Sequence, residues 1–318
     1  MYQNQSVGVV VPCHNEQLLI TRVMDTMPDF VDRIYIVDDV SSDSTVQVVK
    51  EYIARTGTSR VQLIEHTVNQ GVGGAIVSGY KAAAADEIAI MVVMAGDAQM
   101  DPDDLPAIVQ PIADGRADYT KGNRLVSGEA WEQIPRVRYI GNVILSLMTK
   151  VASGYWHIFD SQTGYTAISL KAIKTLDLDK LWKRYGYPNH ILVMLNVHNF
   201  RVADVPVRPV YGIGEKSGIK IWRVIPTISR LLLRGFIWRL FHKYIVRDAH
   251  PLVLFYLFGT LTFVPGIVFG LWLVIYRLFV GNVAPTSALF AMFLTMFGLN
   301  FLMFALWFDM DSNRDLKA

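Results

Sequence analysis

Three apolar runs near the N-terminus each end in a cluster of polar and acidic side chains. Residues 7–11 lead into Pro12-Cys-His-Asn-Glu16, residues 33–37 into Asp38-Asp-Val-Ser-Ser-Asp43, and residues 88–94 into Ala95-Gly-Asp-Ala-Gln-Met-Asp101. Asp97 and Gln99 stand two apart on a loop, so their carboxylate and amide oxygens can face one ion. Hard oxygen donors of this kind suit Mg2+ or Mn2+. The adjacent carboxylates Asp38 and Asp39 offer hydrogen-bond acceptors at a second strand end. Capping of the following helices is the plain structural use of such residues, but three acidic clusters at three strand ends point to one shared crevice. His14 has no second His or Cys at a ligand spacing, which argues against a zinc site. Further along come Gly122-Asn-Arg124 and Arg136-Val-Arg138, with Asn142 a helical turn beyond. Arginines separated by a loop suit a phosphate, which they hold by bidentate, permanently charged contacts. Lys216, Ser217 and Lys220 follow Gly212-Ile-Gly214 and have the make-up of a lid over an anionic group.

These clusters need a scaffold that brings strand ends together. The apolar runs alternate with helical spacing: strand 7–11 ended by Pro12, helix 17–27, strand 33–37, a helix to Ile53 capped by Ser42 or Asp43, and strand 61–64. A glycine turn, Gly71-Val-Gly-Gly74, then opens an Ala-rich helix to Ala85, followed by strand 88–94 and helix 102–113. Nearly all-apolar strands alternating with helices predict an α/β fold, a mostly parallel sheet with helices on both faces. Ligands of such sheets bind beyond the carboxyl ends of the strands. The glycine turn follows the third strand and not the first, so it is not the expected dinucleotide fingerprint. Gln133-Ile-Pro-Arg136 lacks the following Trp of processive polysaccharide synthases and is taken as chance.

The remainder of the chain is different in kind. Charged residues make up 18% of the 318, against roughly 25% in ordinary globular chains, and the mean hydropathy is +0.30. That excludes disorder and a coiled coil. The net charge of +2 gives no reason to expect nucleic acid. A single cysteine, Cys13, excludes an intrachain disulfide and suits a reducing compartment. Residues 252–276 and 283–308 carry no charge until Arg277 between them, and about 20 such residues cross a bilayer as a helix. They predict a two-helix transmembrane hairpin, with Pro265 and Gly266 interrupting its first run. Before it, Lys216, Lys220, Arg223, Arg230, Arg234, Arg239, Lys243 and Arg247 interleave with apolar residues, facing only Glu215 and Asp248. This pattern predicts amphipathic juxtamembrane helices with their cations towards anionic lipid. The positive-inside rule then places this flank and both termini in the cytoplasm. Residues 1–11 are not expected to act as a signal peptide, since 1–6 lack a positive region and the apolar stretch 7–11 is too short. The expected organisation is a cytoplasmic catalytic domain at 1–215, juxtamembrane helices at 216–250, the hairpin at 251–309 and a tail at 310–318.

Val10-Val-Pro-Cys-His-Asn-Glu16, Val37-Asp-Asp-Val-Ser-Ser-Asp-Ser-Thr45, Asn69-Gln-Gly-Val-Gly-Gly-Ala75 and Gly96-Asp-Ala-Gln99 resemble, in order and spacing, the signature of family-2 nucleotide-sugar glycosyltransferases with the GT-A fold. The resemblance covers roughly the first 170 residues. The basic region and hairpin are similar to one subgroup, the polyprenyl-phosphate glycosyltransferases related to dolichyl-phosphate mannose synthase. The resemblance implies that Pro12, His14, Glu16, Val37 and Asp39 contact the nucleotide, with Asp38 as the alternative to Asp39. It implies that Asp97 and Gln99 hold the metal and that Arg124, Arg138 and Asn142 hold the acceptor lipid's phosphate. Asp160 and Gln162, in Asp160-Ser-Gln-Thr-Gly164, would position sugar or acceptor. The family usually has a carboxylate two positions before Asp97, where this chain has Ala95, and an arginine upstream of Lys216, for which Arg208 is the nearest candidate.

Together these features imply an inverting glycosyltransferase that moves a sugar from a UDP- or GDP-sugar to a polyprenyl phosphate, dolichyl or undecaprenyl, at the cytoplasmic membrane face. One rival keeps the chemistry with a glycan or lipid-linked saccharide hydroxyl as acceptor and needs Asp160 as base. Another, motivated by Ala95, is a non-catalytic nucleotide- or lipid-binding scaffold. A homo-oligomer is compatible with a membrane hairpin, and nothing in the sequence specifies one.

Overall fold

The structure is a computed structural model that describes residues 1–126, 136–208, 210 and 221–318; the side chains of 136–138 and 221–224 are outside that description. The chain divides into two compact units, 1–236 with 315–318, and 237–314.

The first unit is built on β1 (Val7–Cys13), α1 (Ile20–Asp25), β2 (Arg33–Asp38), α2 (Thr45–Thr56), β3 (Val61–Glu65), α3 (Val72–Ala85) and β4 (Ile90–Val93). Then follow α4 (Leu105–Ala113), β5 (Tyr119–Asn123), α5 (Arg136–Ser153), β6 (Thr166–Ser169), α6 (Leu170–Thr175), α7 (Tyr187–Val197) and β7 (Val202–Pro206). Among the described residues the strands form one seven-stranded sheet in the order β3-β2-β1-β4-β6-β5-β7. β1 runs parallel to β2 and β4, β2 to β3, and β5 to β7, whereas β6 is antiparallel to β4 and β5. This is the expected mostly parallel sheet with helices.

Alternation along β1 explains the layers. Val7, Val9 and Val11 join a core with Ile20 and Val23 of α1 and Ile108 and Val109 of α4. Val10 faces the other way, so close to α3 that a Cβ on Gly79 would lie 2.4 Å from its Cγ1. Both sheet faces are therefore covered, and burying each such aliphatic side chain contributes about 1.5–3 kcal/mol.

Several boundaries differ from expectation. β1 does not stop at Pro12 but pairs through Cys13, opposite Asp38, because a parallel ladder can spare a proline N–H at the strand end. The first helix starts at Ile20 and not at Gln17; Asn15 takes a left-handed φ of 62° and delays it. α2 continues past Ile53 to Thr56, where Gly57 at φ 61° ends it. Asp43 organises its start: Thr45 donates from N (3.0 Å) and Oγ1 (2.5 Å) to Asp43 Oδ1.

α8 (Ile221–Phe241) leads through a π-helical turn, His242–Arg247, to α9 (Leu252–Phe279) and α10 (Pro285–Ser312). α9 and α10 are each 28 residues, about 42 Å at 1.5 Å per residue, enough to cross a bilayer. α9 passes through Pro265 and Gly266 without a break. Their large apolar side chains, such as Leu261, Leu271, Phe293 and Met303, are exposed, as candidate membrane spans require and core helices do not. Glycines let the pair approach closely: a Cβ on Gly298 would meet Phe263 N at 2.3 Å, and one on Gly266 would meet Thr295 N at 2.7 Å.

Two of the cations expected to face lipid do not. Arg239 is fully buried, with Nη1 donating to Asp309 Oδ1 (2.7 Å) and Nη2 to Oδ2 (2.9 Å). Lys243 is buried and donates to Asn313 Oδ1 at 2.7 Å. The partner carboxylate lies seventy positions away in sequence, so counting local charges misses it.

Candidate active site

The topology gathers the polar clusters on one sheet edge. The carboxyl ends of β1, β2 and β4 point the same way, since all three are parallel. β6 is antiparallel, so its amino end, preceded by residues 160–165, lies beside the carboxyl ends of β4 and β5. Tyr165 Oη donates to Asp101 O at 3.0 Å, and a Cβ on Gly164 would touch Met100 Cε at 3.2 Å.

The β1 and β2 loops are stitched to each other. Asn15 Oδ1 accepts from Ser42 N (2.7 Å) and Asp43 N (3.3 Å), Asn15 N donates to Ser41 Oγ (2.9 Å), and Glu16 N donates to Thr45 Oγ1 (2.8 Å). The β4 loop closes against them: a Cβ on Gly96 would lie 3.0 Å from Cys13 Sγ and 3.3 Å from Glu16 Cγ. Carboxylates crowd the space that results. Burial, then the charges of Glu16, Asp38, Asp97 and Asp43, push the Cys13 thiol well above its usual range. Burial and the Asp97 and Asp43 charges raise Glu16 to about 7. Asp38 is buried; its Oδ2 accepts from Ser41 N at 3.0 Å, and its Oδ1 has no partner among the described residues. An acidic crevice with an orphaned carboxylate oxygen suits a cation or a hydrogen-bond donor of a ligand. Val40 and Ala98, at φ 62° and 55°, are non-glycine residues in left-handed backbone beside it, a cost tolerated where geometry is fixed by its surroundings.

Asp39 is more committed than the sequence suggests. Its Oδ1 accepts from Gln70 N at 2.8 Å and lies 2.8 Å from His66 Nδ1, while its Oδ2 accepts from Gly71 N at 2.7 Å. His66 Nε2 lies 2.8 Å from Ser78 Oγ. A carboxylate only accepts, so Nδ1 carries the proton and Nε2 can accept from the hydroxyl. Asp39 thus ties the β2 loop to the glycine turn, with its carbonyl accepting from His14 Nδ1 and Asn69 Nδ2, both at 3.0 Å. The turn itself is filled by protein. Gly73 N and Gly74 N donate to Lys183 O (2.8 and 3.2 Å), and a Cβ on Gly73 would lie 2.3 Å from Trp182 O. The free N–H groups that would bind a dinucleotide phosphate are already used.

On the other side of the β4 loop, Asp160 is fully buried and grips Arg124. Arg124 Nε and N donate to Oδ2 (2.7 and 3.3 Å) and Nη2 to Oδ1 (3.2 Å); Gln162 N (3.0 Å) and Thr163 N (3.2 Å) also donate to Oδ1. Burial alone would raise this carboxyl, but the charge and hydrogen bonds of Arg124 and the charge of Lys121 hold it below its usual range. Five donors saturate the carboxylate, so Asp160 fixes Arg124 and has little capacity left to act as a base. Lys121, also fully buried, donates to Thr163 O at 2.6 Å, and burial lowers it to about 7. Neither Lys121 nor His66 has a spacing signature that would single it out in sequence. Asn142 is half-buried on α5, one turn before Ser146, whose hydroxyl accepts from Ser161 N at 3.1 Å. Pro12 and Val37 sit in the paired ends of β1 and β2.

Asp97 and Gln99 share the β4 loop, with Gln99 N donating to Asp97 Oδ1 at 3.1 Å. Among the described residues no group of three or more His, Cys, Asp or Glu could hold a metal ion. One carboxylate and one amide nevertheless fit a Mg2+- or Mn2+-type ion that takes its remaining ligands from substrate phosphates and water. Ala95 brings no charge to this loop. Arg208 lies 3.7 Å from Asp101 and 3.6 Å from Asp104, so it is engaged with the loop after β4. The Arg138 side chain and Lys216, Ser217 and Lys220 lie outside the described residues.

The model of glycosyl transferase family 2 matches residues 8–177, a little over half the chain. The chain belongs to glycosyl transferase family 2. It is 30% identical over 216 residues to the UDP-N-acetylglucosamine–dolichyl-phosphate N-acetylglucosaminyltransferase of Methanococcus voltae, covering 64% of this chain and 86% of that protein. It is 25% identical over 232 residues to the undecaprenyl-phosphate mannosyltransferase of Micrococcus luteus, covering 70% and 93%. Glucosyl-3-phosphoglycerate synthase from Mycobacterium tuberculosis, solved with Mn2+, UDP and phosphoglyceric acid, superposes with a TM-score of 0.54 at 18% identity, over 74% of this chain and 78% of that one. That likeness shows the fold, and the family-2 match and relatives bear out the motif resemblance.

Proposed function

We propose that this family-2 glycosyltransferase is a membrane-anchored inverting enzyme that moves a sugar from a nucleotide diphosphate sugar to a polyprenyl phosphate at the cytoplasmic face. The observation that carries the reading is the meeting, on one sheet edge, of an acidic crevice (Glu16, Asp38, Asp97) and a cationic clamp (Arg124 on Asp160), in a chain with a candidate membrane hairpin. The relatives' dolichyl- and undecaprenyl-phosphate acceptors support it. The loop between the spans carries only Arg277 against the basic flank before them, which supports cytoplasmic placement.

Pro12, His14, Glu16, Val37 and Asp39 border the nucleotide, with Asp38 Oδ1, which has no partner among the described residues, available to a donor on base or ribose. Asp97 and Gln99 would hold a divalent ion, which neutralises the diphosphate as it leaves. Arg124, with Arg138 and Asn142, orients the lipid phosphate so that one of its oxygens approaches the anomeric carbon opposite the leaving group. The new C–O bond forms as the bond to the diphosphate breaks, and the nucleoside diphosphate departs with that electron pair. A phosphate monoester is already ionised near pH 7, so no base is required. The saturated hydrogen bonding of Asp160 favours this acceptor over a hydroxyl. Lys216, Ser217 and Lys220 would close over the diphosphate.

Transfer of radiolabelled sugar to extracted lipid phosphate tests the reading. Asp97→Ala is expected to lower kcat/KM about a hundredfold or more, the several kcal/mol that ion-mediated charge stabilisation supplies. Equal transfer by both proteins would overturn it.

A further inference from the structure

Lys121 is a charged side chain with no part in the chemistry so far, in a place where charge is costly. It lies in the middle of β5, paired with Thr166 of β6 on one side and with Asp204 of β7 on the other. It is fully buried, and among the described residues its one hydrogen bond runs from Nζ to Thr163 O at 2.6 Å. An aliphatic residue would fill that place in a core strand without the desolvation penalty of an ammonium. Thr163 belongs to the turn that starts at Asp160, and Thr163 N donates back to Asp160 Oδ1 at 3.2 Å. Asp160 in turn grips Arg124 through Nε and Nη2. A single carbonyl therefore connects Lys121 to the carboxylate that aims the clamp.

The charges act in the same direction. Those bearing on Lys121 come from three elements: Asp160 in the turn before β6, Arg124 after β5, and Asp204 on β7. Lys150 of α5 bears on Asp204 and not on Lys121. Asp204 Oδ2 accepts from Asn123 Nδ2 at 2.6 Å, while its Oδ1 has no partner among the described residues. Asp160 already balances the charge of Arg124, so that pair alone presents little net charge to an anion. With Lys121 protonated the cluster is neutral; without that proton Asp204 leaves it negative, beneath a site meant for a phosphate. Burial lowers Lys121 to about 7 and raises Asp204 to about 6, so above neutral pH it is the ammonium that is lost.

We propose that Lys121 is a positioning residue of the acceptor site: its buried ammonium holds the Asp160–Thr163 turn against Arg124 and supplies the charge that lets the clamp take a phosphate dianion. Being fully buried, it acts through Arg124 and not by contact with the lipid. The inference rests on the acceptor part of the proposed function.

The test measures, by titration calorimetry, binding of farnesyl phosphate, a short polyprenyl phosphate, to the full chain in detergent micelles. Above pH 7 this ligand is already a dianion, since the second pKa of a phosphate monoester is about 6. The native protein is expected to bind it roughly tenfold more weakly at pH 9 than at pH 7, because the empty site sheds a proton that the complex needs. Lys121→Met is expected to bind about tenfold more weakly at pH 7 and to change no further up to pH 9. The native profile decides even where Lys121→Met does not fold: equal affinity at the two pH values would overturn the proposal. A Lys121→Met protein whose affinity falls with pH as the native one does would overturn it too. Sugar transfer on the same samples separates the two readings. Transfer with pH-independent binding removes the role of Lys121 alone. Binding that weakens with pH in the native protein and not in Lys121→Met, without transfer, removes the transferase reading alone.

Discussion

Asp160 shows how a residue's type can be legible while its task is not. The sequence marks it as an acidic residue near the acceptor, equally fit to hold substrate or to act as a base. Its task is set by Arg124, thirty-six positions upstream and brought alongside by the β5–β6 pairing. Asp160→Asn keeps the shape but turns an amide towards the guanidinium, losing a charged hydrogen bond worth about 1.5–3 kcal/mol. The expected result is a KM for the lipid phosphate raised roughly 10- to 100-fold, with the KM for the nucleotide sugar nearly unchanged. Steady-state kinetics in each substrate checks it, and a matching rise in both KM values would place Asp160 elsewhere. Asp39 carries the same lesson. Its motif was readable, but its hold on the glycine turn depends on His66, Gln70 and Gly71, which only the fold brings near.

At the scale of elements, the segment that fills the glycine turn gives a pH-dependent handle. Trp182 N donates to His190 Nδ1 at 3.3 Å, at the start of α7, so that nitrogen must keep its lone pair. Burial lowers His190 to about 4, against about 6.5 in an unfolded chain. Below pH 6.5 the unfolded chain binds the proton and the folded one does not, so stability falls as pH drops from about 6.5 towards 4. Relative to His190→Asn, the native protein is expected to lose on the order of 1–2 kcal/mol between pH 7 and pH 5. Denaturant midpoints of both proteins at the two pH values measure it, and parallel losses would contradict it. Elsewhere, legibility followed apolar patterning. β1 to β4 and their helices stood out because their strands are dominated by apolar residues, mostly Val and Ile. β5, β6 and β7 did not, because they carry buried Lys121, Thr166 and partly buried Asp204 where a core strand would show aliphatics. The antiparallel turn of β6, which sets Asp160 beside the β4 loop, therefore had no sequence signal.

For the molecule as a whole, the second unit raises the question of why its apolar hairpin carries a buried ion pair. Arg239 and Asp309 are both fully buried and bidentate, and Tyr244 Oη donates to Asp309 Oδ1 at 2.7 Å, while Asn313 Nδ2 donates to that hydroxyl at 2.9 Å. Desolvation of two charges offsets much of their attraction, so such a pair adds little net stability, yet breaking it strands a charge. Arg239→Met alone or Asp309→Leu alone should therefore destabilise the hairpin by about 3–5 kcal/mol, whereas the double substitution should cost far less and can even stabilise it. Unfolding of the full chain from lipid–detergent micelles, followed by hairpin tryptophan fluorescence, gives the four stabilities of the cycle. Additive losses in the double variant would mean that the two side chains act independently and that the pair does not lock the juxtamembrane turn to the second span. A double variant that keeps its stability but loses sugar transfer would assign the pair a different task. It would set the angle at which the basic turn leaves the hairpin, a matter of register and not of energy.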